Sequence, residues 1–307
     1  MAPVPPENLP GGRPRIRDVS ELLGIPAPTL RSWERRYGVP TSSRTLGGHR
    51  RYAPDELQQL RLMRDEIARG MRASDAARSV RLLLDRANPA HGRITGLLEA
   101  SERADPAGLR SVLDEAHEQL GLAATIDDVV MPAMRQVGAW WESGRCGIAQ
   151  EHVTTETVRG WLARLTTLAG VHADEPPVLL ACGPSDQHTV GLEALAALLA
   201  QQHQGSRLMG PRTSEQALVT ATIAHDAAAV VVVSHLRAQR RPAVEALAAA
   251  ARTGTEAFYA GNAFSSPTQR VGVHGTYLGT SVSAAATTIM ERLESGRRGP
   301  GRPRAAA

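Results

Sequence analysis

Lysine is absent: all 35 basic side chains are arginine. That excludes a Schiff-base nucleophile and the lysine of a phosphate-binding P-loop. Cysteine is scarce, with Cys146 and Cys182 alone, which excludes a disulfide-built scaffold and a four-thiolate zinc site. Apolar runs such as Ala227–Val233 fall far short of the roughly 18 residues a membrane span needs. No apolar stretch follows a basic start at the N-terminus, so no secretory signal is expected. These absences lead us to expect a cytoplasmic chain with reduced thiols and no membrane partner.

What is present is enough apolar residue, 42% of 307, for two or three domains at about 100–200 residues each. Charge is unevenly spread. Residues 1–81 hold 15 Arg against 9 Asp and Glu, and four more Arg follow Gly296, which leaves a net −6 on the body between. A basic head on an acidic body points to a polyanion partner for the head.

Residues 1–14, rich in Pro and Gly, read as a disordered arm. Residues 15–84 are dense in helix signals: a short helix from Asp18 stops at Gly24, and a second starts at Pro28. Leu30, Trp33 and Tyr37 form one apolar stripe on it. Gly47–Tyr52 reads as a tight turn, followed by helices from Pro54 and Ala73. Residues 89–170 are helical with breaks near Pro106, Gly121 and Gly144, which fits a four-helix bundle. From 177 to 295 short apolar strands alternate with helices, the pattern of a doubly wound parallel sheet. Residues 296–307 form a basic, disordered tail. The expected fold class is therefore multidomain α and α/β: helix-turn-helix head, bundle, Rossmann-like sheet domain.

In the head, two helices split by Gly24-Ile25-Pro26 match a helix-turn-helix whose second helix enters the major groove. Arg17, Thr29, Arg31, Ser32, Arg35 and Arg36 supply donors for phosphates and base edges. His49, Arg50 and Arg51 form a wing on the backbone, and Tyr37 and Tyr52 offer hydroxyls to phosphate. Arg31-x-Trp33-Glu34-Arg35-Arg36-Tyr37-Gly38, then Pro40, Arg44 and Gly48-His49-Arg50-Arg51-Tyr52, closely resembles the DNA-binding domain of MerR-type transcription regulators. The resemblance implies a winged helix-turn-helix binding as a dimer to a double-stranded operator, with Leu30 and Trp33 in the core.

In the sheet domain, Asp186-x-His188-x-x-Gly191 follows the first strand. Ser234-His235-Leu236 follows a later strand, and Ala260-Gly261-Asn262 another. A parallel sheet puts these loops at one, ligand-binding end. Together they resemble the base-off, His-on cobalamin-binding domains. The resemblance implies that His188 is the lower axial ligand of cobalt, oriented by Asp186. It also implies that Ser234 meets the displaced dimethylbenzimidazole, that Gly191 and Gly261 make room for the nucleotide tail, and that Leu236 and Asn262 border it. Ala260 departs from the family's first glycine. The other histidines show no paired metal spacing and read as surface or loop residues, His235 being a possible neighbour of the corrin.

In the bundle, Trp141, nine residues, then Glu151-His152 resembles the upper-face cap of the cobalamin-dependent MerR-type photoreceptors, the CarH/LitR group. It implies adenosylcobalamin as cofactor, with Trp141, Glu151 and His152 against its adenosyl group. Glu142 stands where the family has a second axial histidine. The expected protein is a non-enzymatic DNA-binding regulator, a repressor by resemblance, a dimer or tetramer, in which light cleaves the cobalt–carbon bond and changes assembly. The alternatives are a light-insensitive cobalamin sensor, which Glu142 favours, a corrinoid methyl-transfer module, and a drug sensor. Gly12-Arg13-Pro14-Arg15 repeats as Gly301-Arg302-Pro303-Arg304, which reads as basic arms that add salt-dependent DNA affinity.

Overall fold

The structure is a computed structural model and describes residues 13–40, 51–84, 88–170 and 175–298. The sequence-predicted turn at His49 and Arg50, most of the N-terminal arm and most of the basic tail lie outside the described residues. The chain divides between Leu84 and Asp85 into two compact units.

The first unit holds α1 (Ile16–Leu23), α2 (Ala27–Tyr37), α3 (Pro54–Ala68) and α4 (Ala73–Leu84). Gly24 ends α1 in the left-handed region at φ 66°, where a side chain is strained and glycine is not. The Ser20 hydroxyl donates to the Ile25 carbonyl at 2.6 Å and fixes the turn. Gly38 ends α2 in the same way, its N–H bonded to Glu34 O. One core forms from Val19, Leu23, Leu30, Trp33, Tyr52, Leu60 and Met63. Arg51 pairs with Arg15 as an antiparallel bridge, and its guanidinium donates to Arg13 O at 2.9 Å.

The second unit begins with the bundle: α5 (Pro89–Glu102), α6 (Pro106–Leu120), α7 (Leu122–Ala124), a π-helical segment Thr125–Val130, α8 (Met131–Glu142) and α9 (Ile148–Leu168). Pro at the first turn of α5 and α6 sets each start, behind Asn88 and Asp105 caps, as expected where an N–H would lack a partner anyway. Ile94, Leu97, Leu109, Leu113, Ile126, Val137, Val158 and Leu162 are buried within it.

Five parallel strands follow: β1 (Val178–Cys182), β2 (Ser206–Gly210), β3 (Ala229–Val233), β4 (Glu256–Ala260) and β5 (Thr276–Tyr277). Their order is β2-β1-β3-β4-β5, with Cys182 opposite Val233 and Val233 opposite Ala260. β1 and β3 are fully buried, whereas edge strand β2 is partly exposed. That burial is why the central pair reads as unbroken apolar runs. Helices α10 (Val190–Gln201), α11 (Glu215–Ala224), α12 (Arg240–Ala251), α13 (Pro267–Arg270) and α14 (Val282–Arg298) complete the layers.

Two polar contacts tie bundle to sheet layers. Arg159 of α9 donates to the buried Glu193 of α10 at 2.7 Å. Asp127, in the π-helical segment, accepts from the Ser281 hydroxyl at 2.7 Å and the Val282 N–H at 2.8 Å. It thus caps α14 from another element, satisfying donors that a helix start leaves open.

Candidate functional site

Strand order 2-1-3-4-5 reverses direction between β1 and β3, and ligands of such sheets bind in the crevice at that switch point, outside the carboxyl ends. The loop after β1 carries Asp186 and His188; the loop after β3 carries Ser234, His235 and Leu236. The topology therefore juxtaposes segments nearly fifty residues apart.

Asp186 is at the centre, with 1% of its surface exposed. Its Oδ1 accepts from the His188 backbone N–H at 2.9 Å, an Asx-type turn, and lies 2.8 Å from His188 Nδ1. Its Oδ2 accepts from the His235 N–H at 2.6 Å and lies 3.1 Å from His235 Nδ1. Burial opposes ionisation of Asp186. The hydrogen bonds from His188 and His235, the His235 charge and the His188 N–H outweigh it and hold the carboxyl well below its ordinary range. The His188 pKa is raised, chiefly by the bond to Asp186 and against burial, with added field from Asp186 and Glu142. An ionised carboxylate only accepts, so Nδ1 of each ring carries the proton. Neutral His188 then presents its Nε2 lone pair, the tautomer a metal-binding imidazole needs.

Ser234 is 0% exposed, and among the described residues its hydroxyl has no hydrogen-bond partner. A buried unpaired hydroxyl in a native fold asks for an explanation. Its backbone is fully used: N–H to Ala260 O and O from Ala263 N–H, both at 3.1 Å. Gly261 packs on that backbone at φ 101°, and a Cβ there would lie 2.1 Å from Ser234 O. The room expected at Gly261 for a ligand tail is thus filled by Ser234 itself, and this glycine serves protein packing. At Gly191 the nearest atom to an added Cβ is Met131 Cε at 4.0 Å, so space remains. Leu236 is exposed; Asn262 opens the short turn Asn262–Phe264.

On the bundle, Trp141 and Glu142 end α8, while Glu151 and His152 lie in the first turns of α9. The adjacent tryptophans divide: Trp140 is 9% exposed and Trp141 is 52% exposed. A tryptophan present only to fill a core would be inside. Glu151 accepts from Thr155 at 2.8 Å and lies 3.5 Å from His152 Nε2. Glu142, at the α8 tip, adds to the field that raises the His188 pKa.

In the head, Arg31, Arg35 and Arg36 are exposed on α2, with Thr29, Ser32 and Tyr37 half-buried, opposite buried Leu30 and Trp33. Arg17 is exposed and pairs with Glu21 at 3.2 Å. Arg51 is engaged by the Arg13 carbonyl. Tyr52 departs from expectation. It is 1% exposed within the core, so its hydroxyl does not reach a phosphate; the ring's apolar area outweighs its polar tip.

His235, expected only as a possible neighbour of the corrin, is bonded to Asp186 as well. Its signal was its place, directly after β3 beside the switch point.

The fold and site define a helix-turn-helix regulator joined to a corrinoid-binding body, and comparison with known proteins agrees. The MerR HTH family regulatory protein model matches residues 15–83, and the B12 binding domain model matches 93–166. The HTH-type transcriptional repressor CarH of Myxococcus xanthus is 34% identical over 229 residues, 68% of this chain and 75% of the relative. CarA of the same organism, also an HTH-type transcriptional repressor, is 30% identical over 221 residues, 68% and 72%. The monomethylamine corrinoid protein of Methanosarcina barkeri is 14% identical, covering 65% of this chain and 98% of that one, with a TM-score of 0.49. The chain belongs to the CarH/CarA family of MerR-type, B12-binding transcriptional repressors. No helix among the described residues is long and apolar enough to cross a membrane.

The residues present fit a cobalamin. The fixed His188 tautomer offers a cobalt ligand, and the orphaned Ser234 hydroxyl offers a donor for a base nitrogen.

Proposed function

We propose that this chain represses transcription under control of adenosylcobalamin, and that light lifts the control. In this function residues 15–84 bind operator DNA, 89–170 cap the upper face, and 177–295 hold the lower face and tail. The observation that carries it is the oriented His188, whose Nε2 has no partner among the described residues, at the same end of the sheet as a buried Ser234 hydroxyl that also has none among them.

His188, oriented by Asp186, would hold the cobalt through its Nε2. Ser234 would donate to the displaced base, and Gly191, Leu236 and Asn262 would line the tail's path. The exposed Trp141 would cover the adenosyl group with Glu151 and His152. Bound there, adenosylcobalamin supplies a cobalt–carbon bond that light breaks. The chain's own part is to hold one assembly, dimer or tetramer, while the cap is filled, a ligand with unequal affinity for two states. In the head, Arg31, Arg35, Arg36, Thr29, Ser32, Tyr37 and Arg17 meet the DNA, and His49, Arg50 and Arg51 add charge for its backbone. The protein acts as a regulator and not as an enzyme.

The test is a visible spectrum of the purified chain with adenosylcobalamin, in the dark and after green light, with size-exclusion chromatography at each step. A His-on spectrum that changes with light together with assembly size is expected. A bound spectrum with light-indifferent assembly would favour a second reading, a cofactor-level sensor. Glu142 supports that reading, because a carboxylate in place of the family's histidine holds cobalt less durably after the adenosyl group leaves. No binding at all would overturn both.

A further inference from the structure

The loop after β3 adds a second imidazole to the carboxylate that orients His188. The His188 and His235 ring centroids are 4.8 Å apart, tilted by 47°. The three side chains have the composition of a two-histidine, one-carboxylate metal site. The hydrogen bonding argues against one. An ionised carboxylate has about four lone-pair positions. Here four N–H groups occupy them: the backbone and Nδ1 of His188 on Oδ1, and the backbone and Nδ1 of His235 on Oδ2. Both Nδ1 atoms are turned inward as donors, so no pocket of free lone pairs faces a cation.

The same count gives His235 a task. Were Oδ2 free, the carboxylate could turn about its own axis and the His188 ring would turn with it. With Oδ2 held by two donors from the loop after β3, the Asp186 plane is fixed from the far side. The His188 ring is then fixed by Asp186 from the near side. His188 has 62% of its side chain exposed and His235 30%, so packing does little to orient the exposed ring, and the hydrogen-bond chain must do it.

We propose that His235 is a positioning residue of the cobalamin site: through Asp186 it holds His188 in the orientation and tautomer that bind cobalt. The inference rests on the reading of His188 as the lower axial ligand. His235 itself does not touch cobalt.

The experiment compares wild type, His235→Ala, His235→Asn and His188→Ala for cobalamin affinity by titration and for the axial-ligand signature in absorbance and in the paramagnetic resonance of the reduced, cobalt(II) form. Melting of each cofactor-free variant checks the fold. Outer-sphere partners of ligating histidines typically contribute 10–100-fold in affinity, so His235→Ala should bind about 10–100-fold more weakly and lose the nitrogen hyperfine signature in part of the population. Asn places a side-chain N–H near the position of Nδ1, so His235→Asn should recover most of both. Unchanged affinity and signature in His235→Ala, or an Asn variant as impaired as Ala, would sink the role of His235 alone. A wild type that binds no cobalamin, or a His188→Ala variant with the nitrogen signature intact, would remove the parent reading and this one with it.

Discussion

The recognition helix of the head and the crevice of the body use polar side chains in opposite ways. On α2, Arg31, Arg35 and Arg36 stand outward, over a buried Leu30 and Trp33. In the proposed DNA contact each would act independently. At the sheet's switch point, one buried carboxylate receives four N–H groups from two loops. The head is a sum of parts, while the body site is one part shared by several. Losses should therefore be graded in the head and abrupt in the body.

The largest expected effect follows from removing the shared part. Asp186→Ala leaves two backbone N–H groups and two imidazoles without their acceptor, and each orphaned buried donor costs about 1–3 kcal/mol. The exposed His188 ring can turn to water, so the loss of stability should be smaller than the sum and the loss of function larger. Cobalamin affinity should fall more than about 100-fold, beyond the usual outer-sphere range, with a lowered Tm of the cofactor-free protein. An Asp186→Ala protein that still shows a His-on spectrum at micromolar cofactor would break the contrast with the head.

Legibility divides along the same line. The helix-turn-helix was readable because its signals are local: a glycine stop, a proline start and an apolar stripe at helical spacing. The central strands were readable because both faces of β1 and β3 are buried, which leaves apolar runs. His188 and Asp186 are two residues apart, so their partnership was visible. The bond from His235 to Asp186 spans 49 residues and exists because β1 and β3 are neighbours, which no local pattern states. Tyr52 packs its ring as expected, but a tyrosine has an apolar ring and a polar tip, and only the packing decides that the tip is buried too. Gly261 was correctly seen as special, for the wrong reason: Ser234's backbone, not a ligand tail, occupies the place of its missing side chain. Asp127's cap on α14 left no trace in sequence, since a helix start usually takes its cap from the residue just before it.

The paired tryptophans sharpen the comparison inside the bundle. Trp140 is enclosed, with the Arg145 guanidinium 4.3 Å from its ring centroid. Trp140→Ala should cost about 3–5 kcal/mol, read as a lower Tm and denaturation midpoint, with cofactor binding lost only as the fold is lost. Trp141 is largely in solvent, so Trp141→Ala should move the melting of the cofactor-free chain little. It should instead weaken discrimination between adenosylcobalamin and a cobalamin lacking the adenosyl group. If both variants melted alike, the division between core and ligand-facing tryptophan would fail.

The smallest effects belong to the head, and their grading tests its independence. Arg35→Ala should weaken operator binding and reduce the slope of log affinity against log salt by about 1, as expected for one phosphate contact. Should Arg35 read a base edge instead, the cost is about 1–3 kcal/mol and confined to particular operator sequences, which sequence-varied operators would reveal. Arg17→Ala removes an exposed i,i+4 pair with Glu21, and such pairs contribute about 0.3–0.5 kcal/mol. Melting should hardly register it, so any loss of DNA affinity reports on the phosphate and not on the fold. The double variant should lose the sum of the two single effects, because neither arginine shares a partner with the other. A double variant far weaker than that sum would mean that the head, too, works as one coupled site.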